Sequence, residues 1–251
     1  MPIVTTEDRG TVRHVALNRP DKRNAIDSPM IDALLACLER ADLDGDVRVV
    51  TLRGAGSDFC AGMDLNELLA SADRSVADNR RAALQFAEIF IRMRRLPKPV
   101  VAAVQGRALA GGCGLATACD LVLAAASATL GYPEVQRGFV PAIVMTLLRR
   151  TVGEKLAFDL AATGRVLAAP DAAQLGLVSR VFADVEFENG VTEVVQSLAL
   201  RSPTALAFTK QQFYQLDGLP FEEGLRLGAD VNAVSRTTPD FRAALQAFLK
   251  K

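Results

Sequence analysis

Apolar positions along this chain follow two rhythms, short unbroken or alternating runs and longer stretches of helical period, and the two take turns. Ile3–Thr5 and Val12–Leu17 flank Glu7-Asp8-Arg9-Gly10, which predicts a hairpin turning at that polar segment. Ser28-Pro29 reads as a helix N-cap with proline in the first turn. Met30, Leu34 and Leu38 then recur every fourth residue with Ile31 and Leu35 beside them, the pattern of an amphipathic helix. Val47–Leu52 is a β-rich run ending at Arg53-Gly54. Ser71 to Asn79 is small and polar without an apolar period, and is expected to be a mobile loop covering part of any pocket nearby. Arg80 to Arg95 returns to helix, stopped by Pro97 and Pro99. Val100–Val104 and Leu121–Leu123 are wholly apolar, as buried strands are. Ala142–Arg150 and Lys155–Thr163 read as helices, Asp171–Leu175 as a short helix and Leu177–Phe182 as a strand. From about Phe187 only helical signals remain, broken by Pro203, Gly218-Leu219-Pro220 and Pro239.

The recurring strand–turn–helix order predicts an α/β chain of stacked ββα units over residues 1–190, followed by a helical region over 191–251. Half of the 251 residues are hydrophobic and 23% are charged, enough for a substantial core. Formal net charge is zero, which gives no support to a broadly basic nucleic-acid surface and fits, without requiring, an oligomer. The four cysteines, Cys37, Cys60, Cys113 and Cys119, form no Cys-x-x-Cys pair and the chain has one histidine, so no metal site is expected. Reduced, buried thiols of a cytoplasmic protein are the expectation. Residues 1–8 lack a basic segment leading into an apolar one, so no secretory signal is expected. No run approaches the length of a membrane span; the apolar stretch Gly111–Ala126 is broken by Asp120.

Chemistry concentrates in three places. Asp58-Phe59-Cys60-Ala61-Gly62-Met63-Asp64-Leu65 and Ala108-Leu109-Ala110-Gly111-Gly112-Cys113-Gly114-Leu115 each follow a strand-like run and lead into a helical pattern. Free backbone N–H groups at two such helix starts stabilise developing negative charge. Glu134, in Gly131-Tyr132-Pro133-Glu134, supplies a carboxylate. Two donors and one carboxylate are the requirements of enolate chemistry, a hole for the oxyanion and a base for the carbon-bound proton. Asp64 reads more as a helix cap, Asp120 as a turn anchor, Tyr132 as a packing residue and His14 as a strand residue. Gly112-x-Gly114-x-x-Thr117 partly mimics a dinucleotide fingerprint, but its third small position is threonine and Glu134 falls beyond the next strand. A Gly-x-x-x-x-Gly-Lys-Ser/Thr phosphate loop and a Gly-x-Ser-x-Gly nucleophile elbow are both missing.

In this order and spacing, Leu17-Asn18-Arg19-Pro20-Asp21-Lys22-Arg23-Asn24-Ala25, Phe59–Leu65, Pro97–Gly106, Ala110–Asp120, Tyr132–Gly138 and Ala173–Val178 make the chain resemble the crotonase family, the enoyl-CoA hydratases and isomerases, over nearly its whole length. The resemblance implies a crotonase-like ββα spiral core and a C-terminal helical trimerisation region, assembled as a trimer or a dimer of trimers. It implies an acyl-CoA thioester as substrate, coenzyme A being part of that substrate, with no separate cofactor. It places the oxyanion hole at the backbone N–H groups of Met63 and Gly111; losing one such donor typically costs about 3 kcal/mol of barrier. Asn24, Ala25, Cys60, Ala61 and Gly62 would line the nucleotide end of coenzyme A, largely through backbone. Lys22 or Arg23 would either meet its phosphates or remain solvated. Gly111 and Gly112 would let the chain approach the thioester closely, and the acyl chain is expected near Leu68, Phe139 and Ala142.

Hydratases of that family commonly carry two glutamates that handle the catalytic water. Glu134 matches the second, whereas the first falls on Gly114. One carboxylate suffices to shuttle a proton between α and γ carbons, as in Δ3,Δ2-enoyl-CoA isomerases. Gly138-Phe139-Val140-Pro141-Ala142 also resembles branched-chain hydratases, some with glycine at the same place. The sequence leaves hydration, isomerisation and a non-catalytic acyl-CoA-binding homologue open.

Overall fold

A computed structural model describes residues 1–250. Strands β1 (Val4–Arg9) and β2 (Val12–Leu17) form an antiparallel hairpin. Its turn sits at Gly10, φ +59°, and not across Glu7–Gly10 as expected. Glu7, Asp8 and Arg9 are exposed on an edge strand, where polar residues are tolerated on both faces. Arg13 opposite them pairs with Asp8 and Asp44, each at 2.7 Å.

Helix α1 (Ser28–Leu43) is capped by Asp27, whose carboxylate accepts from the Met30 N–H at 3.0 Å. Ser28, expected as the cap, is the first helical residue instead, because its N–H and hydroxyl both bond to Glu67. After β3 (Val49–Gly54) come α2 (Leu65–Ser71) and α3 (Val76–Arg95). The expected loop from Ser71 to Asn79 thus shrinks to residues 72–75. Ser75 caps α3 by accepting from the Asp78 N–H at 3.1 Å, so a polar segment becomes the exposed first turns of a helix.

The next units show the ββα order directly. β4 (Val100–Val104) leads to β5 (Arg107–Leu109) and α4 (Gly111–Ala118). β6 (Leu121–Ala125) leads to β7 (Thr129–Gly131), a 3₁₀ turn at Pro133–Arg137, and α5 (Ala142–Val152). Then follow α6 (Glu154–Thr163), β8 (Val166–Ala168), α7 (Ala169–Gln174) and β9 (Arg180–Phe182). The long strands form one sheet in the order β1-β2-β3-β4-β6-β9, parallel beyond the hairpin; the short ones form a second, β5-β7-β8. Every residue of β4 is buried, as its unbroken apolar run requires.

α8 (Phe187–Ala199) buries Phe187, Val191, Val194 and Val195 and packs on β2, β3 and β6. α9 (Pro203–Gln215) is fastened through Lys210, whose ammonium pairs with Asp120 at 2.7 Å and donates to the Met93 and Lys98 carbonyls. The Tyr214 hydroxyl donates to the same Asp120, which also accepts from the Val100 N–H. α10 (Phe221–Ser235) and α11 (Pro239–Leu249) bury no residue. No helix among the described residues is long and apolar enough to cross a membrane.

Candidate active site

The small sheet assembles the site. Cys60 bridges Ala108 in parallel, with its N–H donating to Arg107 O and its carbonyl accepting from Leu109 N–H, both at 2.9 Å. β5 in turn pairs in parallel with β7, Leu109 opposite Gly131. Three chain segments therefore run side by side and end at the same edge. Met63 lies three residues beyond Cys60, Gly111 two beyond Leu109, and Glu134 three beyond Gly131. Adjacent strands stand about 4.8 Å apart, so the outer two of these groups are separated by roughly two strand spacings with Gly111 between them.

Packing confirms the neighbourhood of the first two. A Cβ placed on Gly62 would lie 3.5 Å from Gly111 N and 2.9 Å from Ala110 Cβ, and one on Gly111 would lie 3.7 Å from Met63 Cγ. Among the described residues neither the Met63 N–H nor the Gly111 N–H has a hydrogen-bond acceptor. Gly111 opens α4, where unpaired N–H groups concentrate the positive end of the helix. Ala110, just before it, has φ +51° and ψ −126°, a conformation L-residues avoid. Its N–H donates to Gly131 O at 2.8 Å, which ties this turn to the strand that carries Glu134.

Glu134 is buried, and its Oε2 has no hydrogen-bond partner among the described residues. Burial raises its pKa above the ordinary glutamate value, with a smaller opposing pull from a backbone N–H and Arg137. Asp64, the nearby alternative, differs in kind. Its carboxylate caps α2 through the Asn66 N–H and pairs with Arg19 at 3.0 Å. Burial pulls its pKa up, but those partners outweigh it and hold the group ionised. Tyr132 is wholly buried and shares a 2.7 Å hydrogen bond with the Thr117 hydroxyl. Burial pushes the Cys60 and Cys113 thiols up to about 12, so neither is a thiolate nucleophile near neutral pH.

Several residues expected to line the coenzyme also hold the loop together. The buried Asn24 side chain donates to the Ala55 and Asp58 carbonyls at 2.9 and 2.8 Å and accepts from Arg19 N–H. Cys60 is fully buried with its backbone engaged in the strand bridge. The Ala61 N–H donates to Arg23 O, and the Ala25 carbonyl accepts from Arg19 Nη1. Gly112 packs against Cys60, where a Cβ would collide with the Cys60 carbonyl and stand 2.7 Å from its Sγ. Lys22 and Arg23 are exposed on the turn that carries Asn24. Phe139 and Ala142 are exposed just beyond Glu134, the Phe139 N–H donating to Glu134 O at 3.1 Å. Leu68 is half-buried on α2, one turn past Asp64.

Two braces escaped the sequence reading. Arg19 pairs with Asp27 and Asp64, the caps of α1 and α2, each at 3.0 Å, and so joins two helix starts to the Asn24 loop. Asp58 accepts from Arg107 Nε and Nη2 at 2.7 and 2.8 Å and fixes the Met63 segment to β5. The Asp–Arg spacing carries no local signal, since the partners come from different turns of the spiral.

A sequence profile of the enoyl-CoA hydratase/isomerase family matches residues 7–251. A protein of Thermus thermophilus that carries the name of an enoyl-CoA hydratase is 41% identical over 244 residues, 97% of this chain and 96% of its own. A peroxisomal Δ(3,5)-Δ(2,4)-dienoyl-CoA isomerase of Arabidopsis thaliana is 30% identical over 262 aligned residues, covering 100% of this chain and 94% of its own. The crystal structure of an enoyl-CoA hydratase from Mycobacterium smegmatis superposes with a TM-score of 0.95 at 31% identity, covering 100% of this chain and 97% of that one. The expected crotonase-like α/β spiral with C-terminal helices is thus the fold of this chain.

Proposed function

This chain belongs to the enoyl-CoA hydratase/isomerase family, and from that premise we propose that it acts on an enoyl-CoA thioester through an oxyanion-stabilised enolate, with Glu134 as the acid/base. The observation that carries the reading is the convergence of two unpaired main-chain donors and one buried, unpartnered carboxylate at a single sheet edge. The thioester oxygen lies between the Met63 and Gly111 N–H groups. As a proton leaves the carbon next to the carbonyl, negative charge grows on that oxygen. Donors fixed by strand pairing and by the strained Ala110 turn meet it without reorganising. Glu134 takes the proton. Its raised pKa makes the ionised carboxylate a stronger base and so eases removal of the proton from carbon. No metal or redox cofactor enters this chemistry.

The exposed Lys22 and Arg23 beside the Asn24 loop are the cations available for the coenzyme's phosphates, and the apolar surface of Leu68, Phe139 and Ala142 is assigned to the acyl chain. α10 and α11 expose Phe221, Leu225, Phe241, Leu245, Phe248 and Leu249 without burying a residue, which supports a homotrimer or a dimer of trimers built on these helices. Sedimentation velocity tests it: a monomer at micromolar concentration overturns the assembly.

The decisive experiment is Glu134→Gln. Turnover of enoyl-CoA should fall by about 10²–10⁴-fold while calorimetric binding of a saturated acyl-CoA persists. A variant with unimpaired turnover removes Glu134 from the chemistry.

A further inference from the structure

Met63 forms a parallel bridge with Ile26, in which the Ile26 N–H donates to Gly62 O at 2.8 Å and the Asp64 N–H donates to Ile26 O at 2.7 Å. The first of these bonds fixes where the Met63 N–H points. The Gly62 carbonyl and the Met63 N–H belong to one trans peptide, so they lie in one plane and face opposite ways. With the carbonyl turned to Ile26, the N–H is turned away from it. The stretch from Cys60 to Asp64 is flanked by Arg23 and Ile26 on one edge and by β5 on the other. The N–H is therefore aimed at the β5 side, where α4 begins with Gly111. The bond from Ile26 also polarises the peptide and makes its N–H a better donor.

This bridge is a single residue pair outside the named strands, so no ladder on either side supports it. Arg19 supplies the support. Its guanidinium donates to Ala25 O at 2.6 Å and pairs with Asp27 and Asp64, each at 3.0 Å. One planar group thus grips the residues before and after Ile26 and the residue after Met63. The Arg19 and Asp64 side chains are largely buried, and the Arg19 backbone is itself fixed, its N–H on Asn24 Oδ1 and its carbonyl on the Lys22 and Asn24 N–H groups, all at 2.9 Å. Asp27 belongs to the Ile26 side of the bridge and Asp64 to the Met63 side. Without the cation between them these two carboxylates repel and push the sides apart. The donor at Met63 then loses its aim although no reacting atom has been changed.

We propose that Arg19 is a positioning residue: by gripping Ala25, Asp27 and Asp64 it keeps the Ile26–Met63 bridge closed and so aims the Met63 N–H at the thioester oxygen. The inference rests on the oxyanion reading above. The test gives the purified protein a saturated acyl-CoA carrying ¹³C at the carbonyl, read by difference infrared spectroscopy, and measures kcat and KM on an enoyl-CoA. Donors in place lower the carbonyl stretch of the bound thioester below its value in water. Arg19→Met should lose about half or more of that downshift and lower kcat by roughly tenfold to a hundredfold, the cost of a misplaced group, with KM and acyl-CoA affinity changed little. Asp64→Asn, which keeps a good helix cap, should show both losses in smaller measure. A downshift and kcat equal to the parent's in either variant overturn the inference. So does a fall in kcat matched by an equal loss of acyl-CoA affinity, which general loosening of the loop would give. A larger downshift in Asp64→Asn overturns it too, because the Asp64 charge and not the aim of the donor would then limit the site. If Arg19→Met does not fold, Asp64→Asn alone decides. Native protein that binds the acyl-CoA without lowering its carbonyl stretch overturns the oxyanion reading and this inference with it, whereas a native downshift kept in both variants overturns this inference alone.

Discussion

Glu134→Gln separates function from stability in one substitution. The native carboxyl is buried, and Oε2 finds no partner. A buried polar atom left unpaired costs about 1–3 kcal/mol, and more when charged. Glutamine keeps the shape and sheds the charge, so the variant should gain about 1 kcal/mol at alkaline pH. For a chain of this length that is about 2–4 °C in Tm. The pH dependence fixes the cause. Burial raises the folded pKa, so native Glu134 keeps its proton where the unfolded carboxyl has lost it. Stability from this group is whole below the unfolded pKa and is lost as pH rises through the folded one. The gap between variant and parent should therefore open with rising pH and close near pH 4, about the ordinary glutamate value. Differential scanning calorimetry of both proteins between pH 4 and 8 measures it. A variant that melts no higher than its parent at pH 8, or a gap that widens towards acid, refutes the argument that the carboxylate is held at a cost for catalysis.

Gly112→Ala drives a methyl into the Cys60 carbonyl, and overpacking of this kind costs about 1–3 kcal/mol. Thermal unfolding should show that loss, together with a fall in kcat from a displaced Gly111; an unchanged Tm would mean the α4 start is free to shift. Asn24→Ala removes three side-chain hydrogen bonds, one of them buried, so it should lower stability by about 1–3 kcal/mol and raise KM for the CoA ester more than it lowers kcat. A Tm equal to the parent's would return Asn24 to a direct ligand-binding role. Lys210→Met leaves Asp120 without its buried partner and should cost about 3–5 kcal/mol. Hydrogen exchange should then quicken across α9, and protection at native levels would show that α9 is held by other contacts.

Glycines and apolar runs made much of this fold legible. The all-buried β4 reads straight from Val100–Val104, and the α4 start from Gly111-Gly112. Glu134 was legible as a lone carboxylate after a turn, though its burial was not, since that depends on packing beyond its own 3₁₀ turn. The illegible parts share a cause. Arg19 acts by joining two helix caps brought together only by the spiral, and Val144 acts by filling space beside a glycine thirty residues away. Neither leaves a periodic trace. The segment 71–79 misled because exposed helix needs a cap and tolerable propensity, not an apolar stripe.

If the Met63 and Gly111 N–H groups hold the oxyanion as proposed, the site depends on strand register and not on which side chain stands at residue 63. An N–H is present whatever the side chain, but its place is set by the strand that carries it. A one-residue slip between β5 and β7 would turn Glu134 to the opposite face and leave Gly111 beside a different residue. The interactions that guard this register lie outside the reacting groups: Asp58 on Arg107, Cys60 on Arg107 and Leu109, and Ala110 on Gly131. Ala110 keeps a conformation worth about 1–3 kcal/mol of strain, which only well-packed neighbours on both sides can enforce. The rigidity that pins the proposed oxyanion donors is therefore a property of the small sheet as a whole, and on that proposal substitutions that loosen it should lower kcat without touching a reacting atom.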